Sequence, residues 1–274
     1  AMPLSLVGSE MCIRDRLPSA HQVDREYRVM HALWDTDVPV PKMYCLCEDP
    51  QIIGTKFYVM EMVEGRLFTE NCLPTLSNEE RRALYLDLAR VLAKLHLVDP
   101  QAVGLESFGR PGNYYERQIG RWSKQYVASQ TEDIPAMNKL MEWLPNNIPQ
   151  SVGTMIVHGD YRLGNVLVHP TEPRIVAVLD WELSTLGDGL ADLGYICQDY
   201  HGDKENEESL AGADLEALGI PAESELLAEY CGQAGLDDIE NWPFYRSTTC
   251  FDLPASARGC ISAAWMAMPA QQPL

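Results

Sequence analysis

The stretch HGDYRLGN, residues 158–165, decides the fold, because it places the carboxylate of Asp160 and the amide of Asn165 five residues apart in a loop. A second polar signal follows downstream, where the apolar run 175–179 ends in Asp180. Asp180 therefore comes directly after a predicted buried strand. Carboxylate and amide oxygens of this kind bind hard cations, and carboxylates also accept protons.

Each of these two signals has a plain structural alternative. An Asp commonly closes a strand by hydrogen-bonding the backbone of the following turn, and His-Gly-Asp recurs by chance and in metal hydrolases. Taken together, the signals predict a hairpin within 158–182, in which antiparallel strands 165–168 and 175–179 are joined by the connection 169–174. This hairpin brings the two acids and the amide to one end.

The spacing of Asp160 and Asn165 is typical of phosphoryl-transfer catalysis. In the catalytic loop of protein kinases, H-R-D-x-x-x-x-N, the Asp takes the proton of the acceptor hydroxyl and the Asn holds magnesium. Gly159 replaces the Arg of that loop. Asp180 stands where a second magnesium ligand belongs, since magnesium prefers a few such oxygens together with phosphate and water.

The loop and the segment VLDWELSTLGDGLADLG, residues 178–194, resemble the aminoglycoside-phosphotransferase-like kinases, in particular the kinases that are fused to acyl-CoA dehydrogenases. The resemblance extends from about Leu17 to the end of the chain. It implies an α+β, bilobal, protein-kinase-like fold with a small N-terminal lobe and a larger, mainly helical C-terminal lobe. It also implies ATP and Mg²⁺ as cofactors.

The resemblance assigns a role to each polar residue of the catalytic hairpin. Asp160 matches the catalytic base, and Asn165 and Asp180 match the magnesium ligands. Asp192 matches an acid that braces the loop. His158 matches a packing and hydrogen-bonding histidine, which agrees with its reading as an ordinary core residue.

In the small lobe, the resemblance points to one helix and one connecting segment. Glu26 matches the helix glutamate that pairs with the lysine gripping the ATP phosphates; without the resemblance it reads as a surface acid between Arg25 and Arg28. The hinge between the lobes, where backbone groups would meet the adenine, corresponds to Glu61, Met62 and Val63.

The chain is predicted to comprise a small-lobe remnant over 17–63 and a C-terminal lobe over 64–274. Residues 1–16 look like translated sequencing-adapter sequence and are excluded from the prediction of the fold. They contain no lysine and no glycine-rich loop. We therefore expect weak phosphorylation, no lysine partner for Glu26, and a sheet whose exposed edge favours association.

Hydrophobic periodicity predicts the remaining elements. A helix opens near Pro18 and carries Val23, Tyr27, Met30 and Leu33 on its apolar face. Strands are predicted over 43–47 and 56–62. The capping box at 77–80 begins a helix that ends near His96, and a last helix is predicted between 244 and 268.

Composition excludes several classes of partner. The chain has 274 residues and a formal net charge of -19, which disfavours nucleic acid and anionic membranes as partners. No run approaches the length of a membrane span, and no secretory leader is recognisable. Eight cysteines without a C-x-x-C pair predict reduced thiols and a cytoplasmic location.

A basic helical face contrasts with this acidity. Arg117, Arg121 and Lys124 fall at i, i+4 and i+7 and could bind an anionic acceptor such as a phosphorylated or CoA-bearing molecule. Salt bridges to the acidic segment 199–240 are an equal alternative. Aromatic residues on the same helix are predicted to be core rather than a ligand-stacking surface: Tyr115, Trp122 and Tyr126.

The leading functional prediction is ATP-dependent phosphorylation of a hydroxyl group on a small molecule, with a hydroxyacyl-CoA as the favoured acceptor. An aminoglycoside or another small alcohol is the runner-up. A nucleotide-binding pseudokinase is an alternative from a different class. A metal-dependent hydrolase built on His158, Asp160 and Asp180 is the weakest, because no further histidine-rich ligand set accompanies them.

Overall fold

The computed structural model describes residues 23–110, 112–130, 133–202 and 209–249. Within these ranges helices alternate with three two-stranded antiparallel sheets, which confirms the predicted α+β class. The predictions for the adapter-like segment, for the beginning of the first helix and for the last helix beyond Thr249 lie outside the described residues.

The small lobe combines one helix with one strand pair. Helix α1 (Val23–Leu33) buries Val29, Met30 and Leu33. Strands β1 (Met43–Cys47) and β2 (Phe57–Met60) pair antiparallel. β1 has its predicted bounds, whereas β2 begins one residue later and ends two residues earlier than predicted. The Glu61 N–H still donates to the Lys42 carbonyl at 2.8 Å, but the next residues leave the strand pair.

Helix α2 (Asn78–Leu97) is the central helix of the C-terminal lobe. The predicted capping box is present: the Ser77 side chain accepts from the Glu80 N–H, and the Glu80 carboxylate accepts from the Ser77 N–H. The leucine stripe of α2 is buried, and the helix packs against α7 (Glu223–Ala234). Arg82 and Arg90 of α2 pair with Glu225 and Glu229 of α7, at 2.5 Å and 2.6 Å.

The other helices complete an aromatic-rich core. They are α3 (Tyr114–Ser129), α4 (Pro135–Asn146), α5 (Leu190–Cys197), α6 (Leu215–Leu218) and α8 (Trp242–Thr248). Tyr115 stacks edge-on against Phe244, with ring centroids 5.0 Å apart. Tyr115 and Trp122 are buried and Tyr126 is half-buried, so the prediction of a core role for these aromatics is confirmed.

Four short strands flank residues 158–165, the predicted catalytic loop. β3 (Met155–Val157) pairs with β6 (Thr185–Gly187), and β4 (Val166–Val168) pairs with β5 (Ile175–Val178). Both pairs are antiparallel, and Val166 lies opposite Val178. The predicted hairpin is therefore present. Asn165 itself ends a short 3-10 turn directly before β4.

Among the described residues, none of the helices combines the length and the apolar composition that crossing a bilayer requires. The five cysteines in the same part of the chain are all unbridged: Cys45, Cys47, Cys72, Cys197 and Cys231.

Candidate active site

His158 is the buried anchor of the catalytic loop. Its Nε2 lies 2.9 Å from the carbonyl oxygen of Leu179, and its Nδ1 accepts from the Asp160 N–H at 3.2 Å. Burial lowers the pKa of His158, which keeps the imidazole neutral with the proton on Nε2. The ring thus connects the loop to the residue before Asp180. His158 is the buried, hydrogen-bonded histidine that was predicted.

Asp192 of α5 braces the backbone of the same loop. One carboxylate oxygen accepts from the His158 N–H at 2.7 Å, and the other accepts from the Gly159 N–H at 2.8 Å. Gly159 has a φ of +89°. A Cβ at this position would lie 2.7 Å from the Leu183 carbonyl oxygen. Only glycine satisfies both conditions, so the replacement of the kinase arginine has a steric reason.

Asp160 and Asn165 are in direct contact. The Asn165 amide nitrogen donates to the Asp160 side chain at 2.7 Å and to the Asp160 carbonyl at 2.8 Å. The Arg162 guanidinium lies 3.3 Å from the other carboxylate oxygen. Because the amide nitrogen is occupied by Asp160, the amide oxygen of Asn165 is the group that can bind a cation.

Asp180 follows β5 in a left-handed backbone conformation, with a φ of +63°. The N–H of Leu179, immediately before it, donates to the Asn165 carbonyl at 2.8 Å, which joins the two predicted ligands through the backbone. Asp180 is exposed, and no residue within the described ranges donates a hydrogen bond to its carboxylate. Its oxygens are therefore available to a cation.

The donor set fits magnesium. An amide oxygen from Asn165 and a carboxylate from Asp180 are hard oxygen ligands, and Mg²⁺ takes its other ligands from phosphate and water. Three or more His, Cys, Asp or Glu residues do not converge anywhere in the described ranges. This part of the chain thus offers no zinc-like cluster.

Glu26 is in contact with a residue that the sequence did not point to. The hydroxyl of Tyr58, on β2, donates to the Glu26 carboxylate at 3.0 Å. Burial raises the pKa of Tyr58, and the negative charges of Glu26 and Asp180 raise it further. The tyrosine therefore stays protonated and neutral. No sequence motif marks it, because the contact joins residues that are 32 positions apart.

The described lysines of the small lobe are engaged elsewhere. Lys56 pairs with Glu48 at 3.1 Å, and Lys42 lies 5.4 Å from the centroid of the Trp34 ring. The resemblance places the lysine that would pair with Glu26 ahead of α1, where residues 1–22 of this sequence contain no lysine.

The predicted hinge residues follow β2. Met62 is 64% exposed, whereas Glu61 and Val63 are half-buried. No described residue hydrogen-bonds the backbone groups of Met62 or Val63. These groups are therefore open to another hydrogen-bonding partner.

The three residues of the predicted basic face of α3 differ in their contacts. The Arg117 guanidinium donates to the carbonyls of Gly112 and, at 2.8 Å, Arg110, so it serves the loop before the helix. Arg121 and Lys124 are exposed and form no ion pair with any described residue. Within the described part of the acidic segment, the α7 acids Glu225 and Glu229 pair with α2 instead. Residues 203–208 of that segment lie outside the described residues, so the alternative of salt bridges stays a prediction.

A family model described as the phosphotransferase enzyme family matches residues 6–230. The chain belongs to this family. Acyl-CoA dehydrogenase family member 10 of Mus musculus is 44% identical over 245 residues, 89% of this chain and 23% of the mouse protein. The human family member 11 is 42% identical over 248 residues, 90% and 32% of the two chains. The chain thus spans about a quarter to a third of these curated relatives.

Solved structures support the same assignment. A crystal structure from Ralstonia eutropha JMP134, described provisionally as an aminoglycoside phosphotransferase, is 48% identical, has a TM-score of 0.80, and covers 91% of this chain and 80% of that one. The phosphotransferase APH(3'')-Id of Streptomyces rimosus in complex with ADP and streptomycin has a TM-score of 0.56 at 17% identity, and covers 84% and 82%. The second likeness concerns the fold alone. Together they confirm the bilobal kinase-like fold.

Proposed function

We propose that this phosphotransferase moves the γ-phosphoryl group of ATP to a hydroxyl group of a small molecule. The observation that carries the proposal is the convergence of Asp160, Asn165 and Asp180 on one end of the β4–β5 hairpin, with the loop backbone braced by Asp192. An acid, an amide oxygen and a second acid are the groups that phosphoryl transfer to an alcohol requires.

In this proposal Asp160 is the base. Its carboxylate is half-buried and is oriented by the Asn165 amide and by Arg162, which leaves it in place to take the proton of an incoming hydroxyl. Asn165 and Asp180 would hold Mg²⁺, which when bound neutralises charge on the transferring phosphoryl group. The neutral His158 keeps these residues aligned through its contact with Leu179.

The nucleotide site is proposed at the hinge and beside α1. The open backbone groups of Met62 and Val63, together with Glu61, would meet the adenine. Glu26 would lie near the nucleotide phosphates, because the charge of Asp180 raises the pKa of Tyr58, the residue that Glu26 contacts. The kinase-like S. rimosus protein, which was solved with ADP, supports a nucleotide in this fold.

A hydroxyacyl-CoA is the acceptor class that we favour. The mouse and human relatives are named as acyl-CoA dehydrogenase family members. Arg121 and Lys124 of α3, which pair with no described acid, suit the phosphates of CoA. Arg117 would contribute through the loop at 110–112. An aminoglycoside is the second candidate acceptor, because the similar Ralstonia structure is described provisionally as an aminoglycoside phosphotransferase.

Phosphate transfer from labelled ATP to a panel of hydroxyacyl-CoAs tests the proposal. Asp160→Asn should reduce turnover about 10²- to 10⁴-fold, the contribution typical of a general base. Asp237→Asn, which removes an exposed acid of the C-terminal lobe, should leave turnover unchanged. Equal turnover in the Asp160→Asn variant would show that Asp160 is not the base.

A nucleotide-binding protein without turnover is the second candidate. The contact of Tyr58 with the Glu26 carboxylate favours it, because a lysine holds that acid in the kinases that the chain resembles. Stabilisation by MgATP in a thermal shift assay, without transfer to any acceptor of the panel, would select this candidate.

A further inference from the structure

Arg25 of α1 reaches across to the segment that follows Asp180. One of its guanidinium nitrogens donates to the Ser184 carbonyl at 3.0 Å, which joins residues 159 positions apart. The guanidinium carbon lies 4.2 Å from the centroid of the Phe108 ring. Burial lowers the pKa of Arg25, but an arginine remains charged. The side chain is thus held in place by a carbonyl on one side and an aromatic face on the other.

The acceptor carbonyl belongs to a tight turn, Trp181 to Ser184. Both the N–H and the hydroxyl of Ser184 donate to the Trp181 carbonyl, at 3.1 Å and 2.5 Å. The fully buried Trp181 donates in turn to the Val178 carbonyl at 3.0 Å. The turn is therefore closed on itself, and Arg25 is a side chain of the small lobe that hydrogen-bonds to it.

This turn touches both halves of the proposed catalytic centre. It begins directly after Asp180, and its Leu183 carbonyl approaches Gly159 so closely that a Cβ there would lie 2.7 Å away. A displacement of the turn would therefore move the Asp180 backbone and loosen the contact with the loop that carries Asp160.

Asp180 depends on such support. Asp adopts a left-handed conformation more readily than most residues, but the conformation still depends on how the flanking chain is held. On the N-terminal side, the Leu179 N–H is held by the Asn165 carbonyl. On the C-terminal side, the holding element is the turn gripped by Arg25.

We propose that Arg25 is a positioning residue, which holds the 181–184 turn and thereby sets the place of the Asp180 carboxylate for magnesium. The magnesium part of this inference rests on the proposed function. Since α1 also carries Glu26, the same helix would position groups on two sides of the nucleotide phosphates.

Arg28 supplies a matched control. It lies one turn further along α1 and donates to the Gly104 carbonyl at 3.0 Å and to the Ser107 hydroxyl at 2.9 Å. It therefore anchors the same helix to the same lobe without touching the turn after Asp180. Arg25→Ala and Arg28→Ala each remove one long-range anchor of α1, and only Arg25→Ala removes a hydrogen bond to the turn.

Amide hydrogen exchange of the full chain is the first measurement, because it requires no turnover. Exchange in peptides covering 181–187 should be faster in Arg25→Ala than in Arg28→Ala, while peptides of α7 exchange at the wild-type rate in both variants. The α7 peptides report that the C-terminal lobe is folded. Equal exchange of 181–187 in the two variants would overturn the inference, whether or not the wild-type chain transfers phosphate.

The second measurement is the magnesium dependence of phosphate transfer. Residues that hold a metal ligand in place typically change metal affinity or activity about 10- to 100-fold when removed. Arg25→Ala should raise the magnesium concentration for half-maximal rate by such a factor and leave the KM for the acceptor unchanged. Arg25→Lys, which keeps a donor, should recover part of the loss. A change in the acceptor KM alone would contradict the inference.

Discussion

At the scale of single residues, the positive φ of Gly159 is the strictest requirement of the catalytic loop. Its conformation and its distance from Leu183 both exclude a side chain. Gly235 also has a positive φ, of +70°, but a Cβ added there would have no neighbouring atom within 4 Å. Substitution of Gly235 therefore tests backbone strain alone, whereas substitution of Gly159 adds a steric clash.

Gly235→Ala should destabilise the fold by about 1–2 kcal/mol, the cost of a left-handed conformation. Gly159→Ala should cost more and should also reduce phosphate transfer, since Leu183 or the loop has to move. Urea denaturation gives the two free energies of unfolding. Equal losses of stability and full activity in Gly159→Ala would show that the loop adapts at no cost.

Asp188 predicts a pH dependence of stability. Burial raises its pKa to about 6, and one carboxylate oxygen has no hydrogen-bond partner among the described residues. The folded state therefore binds this proton more tightly than the unfolded state, where an Asp titrates near its usual pKa of about 3.9. The stability that protonation provides is complete below pH 4 and is lost as the pH rises through 6.

Asp188→Asn should remove this part of the pH dependence, because the amide stays neutral. The difference in Tm between variant and wild type, measured from pH 4 to 8, should increase in favour of the variant as the pH rises. A shift of about two pKa units corresponds to at most about 3 kcal/mol. A constant difference across the range would show that Asp188 does not titrate there.

At the scale of elements, the loop and the central helix show which features a sequence can predict. The capping box of α2, the bounds of β1 and the β4–β5 hairpin depend on residues a few positions apart, so spacing was sufficient. Contacts between residues far apart in the chain, such as Tyr58 with Glu26 and Arg25 with Ser184, leave no periodic pattern. The end of β2 was likewise missed, because local β-propensity continues beyond its last strand residue.

Asp192 of α5, which holds the loop, and Ser77, which caps α2, give a matched pair of variants. Asp192→Asn replaces one of the two acceptors for the loop N–H groups by a donor, which should cost about 1–3 kcal/mol and most of the turnover. Ser77→Ala should cost about 1 kcal/mol through the lost cap and leave turnover unchanged. Thermal unfolding and phosphate transfer, measured on both variants, distinguish a brace of the active loop from general stability.

At the scale of the whole molecule, the small sheet predicts association. Among the described residues β2 pairs only with β1, and its Val59 and Met60 are 40% and 38% exposed. An open edge with apolar side chains favours pairing with a second chain. The net charge of -19 opposes such pairing at low ionic strength.

Sedimentation velocity should therefore show self-association that increases with salt concentration, and Val59→Lys should abolish it. Val127→Lys, at a 60% exposed position of α3, should leave it unchanged. A monomer at every salt concentration would show that the edge is covered in the whole chain.

The β4–β5 hairpin also bears on how the two lobes move. The Val178 N–H donates to the Pro39 carbonyl at 2.8 Å, and Arg66 exchanges backbone hydrogen bonds of 2.7 Å and 2.9 Å with Val168. Pro39 and Arg66 lie on either side of the β1–β2 pair in the chain, so the hairpin holds both ends of the small sheet. A rocking motion of that sheet would therefore pivot at the hairpin, and Asp160, Asn165 and Asp180, which the same hairpin carries, would move least.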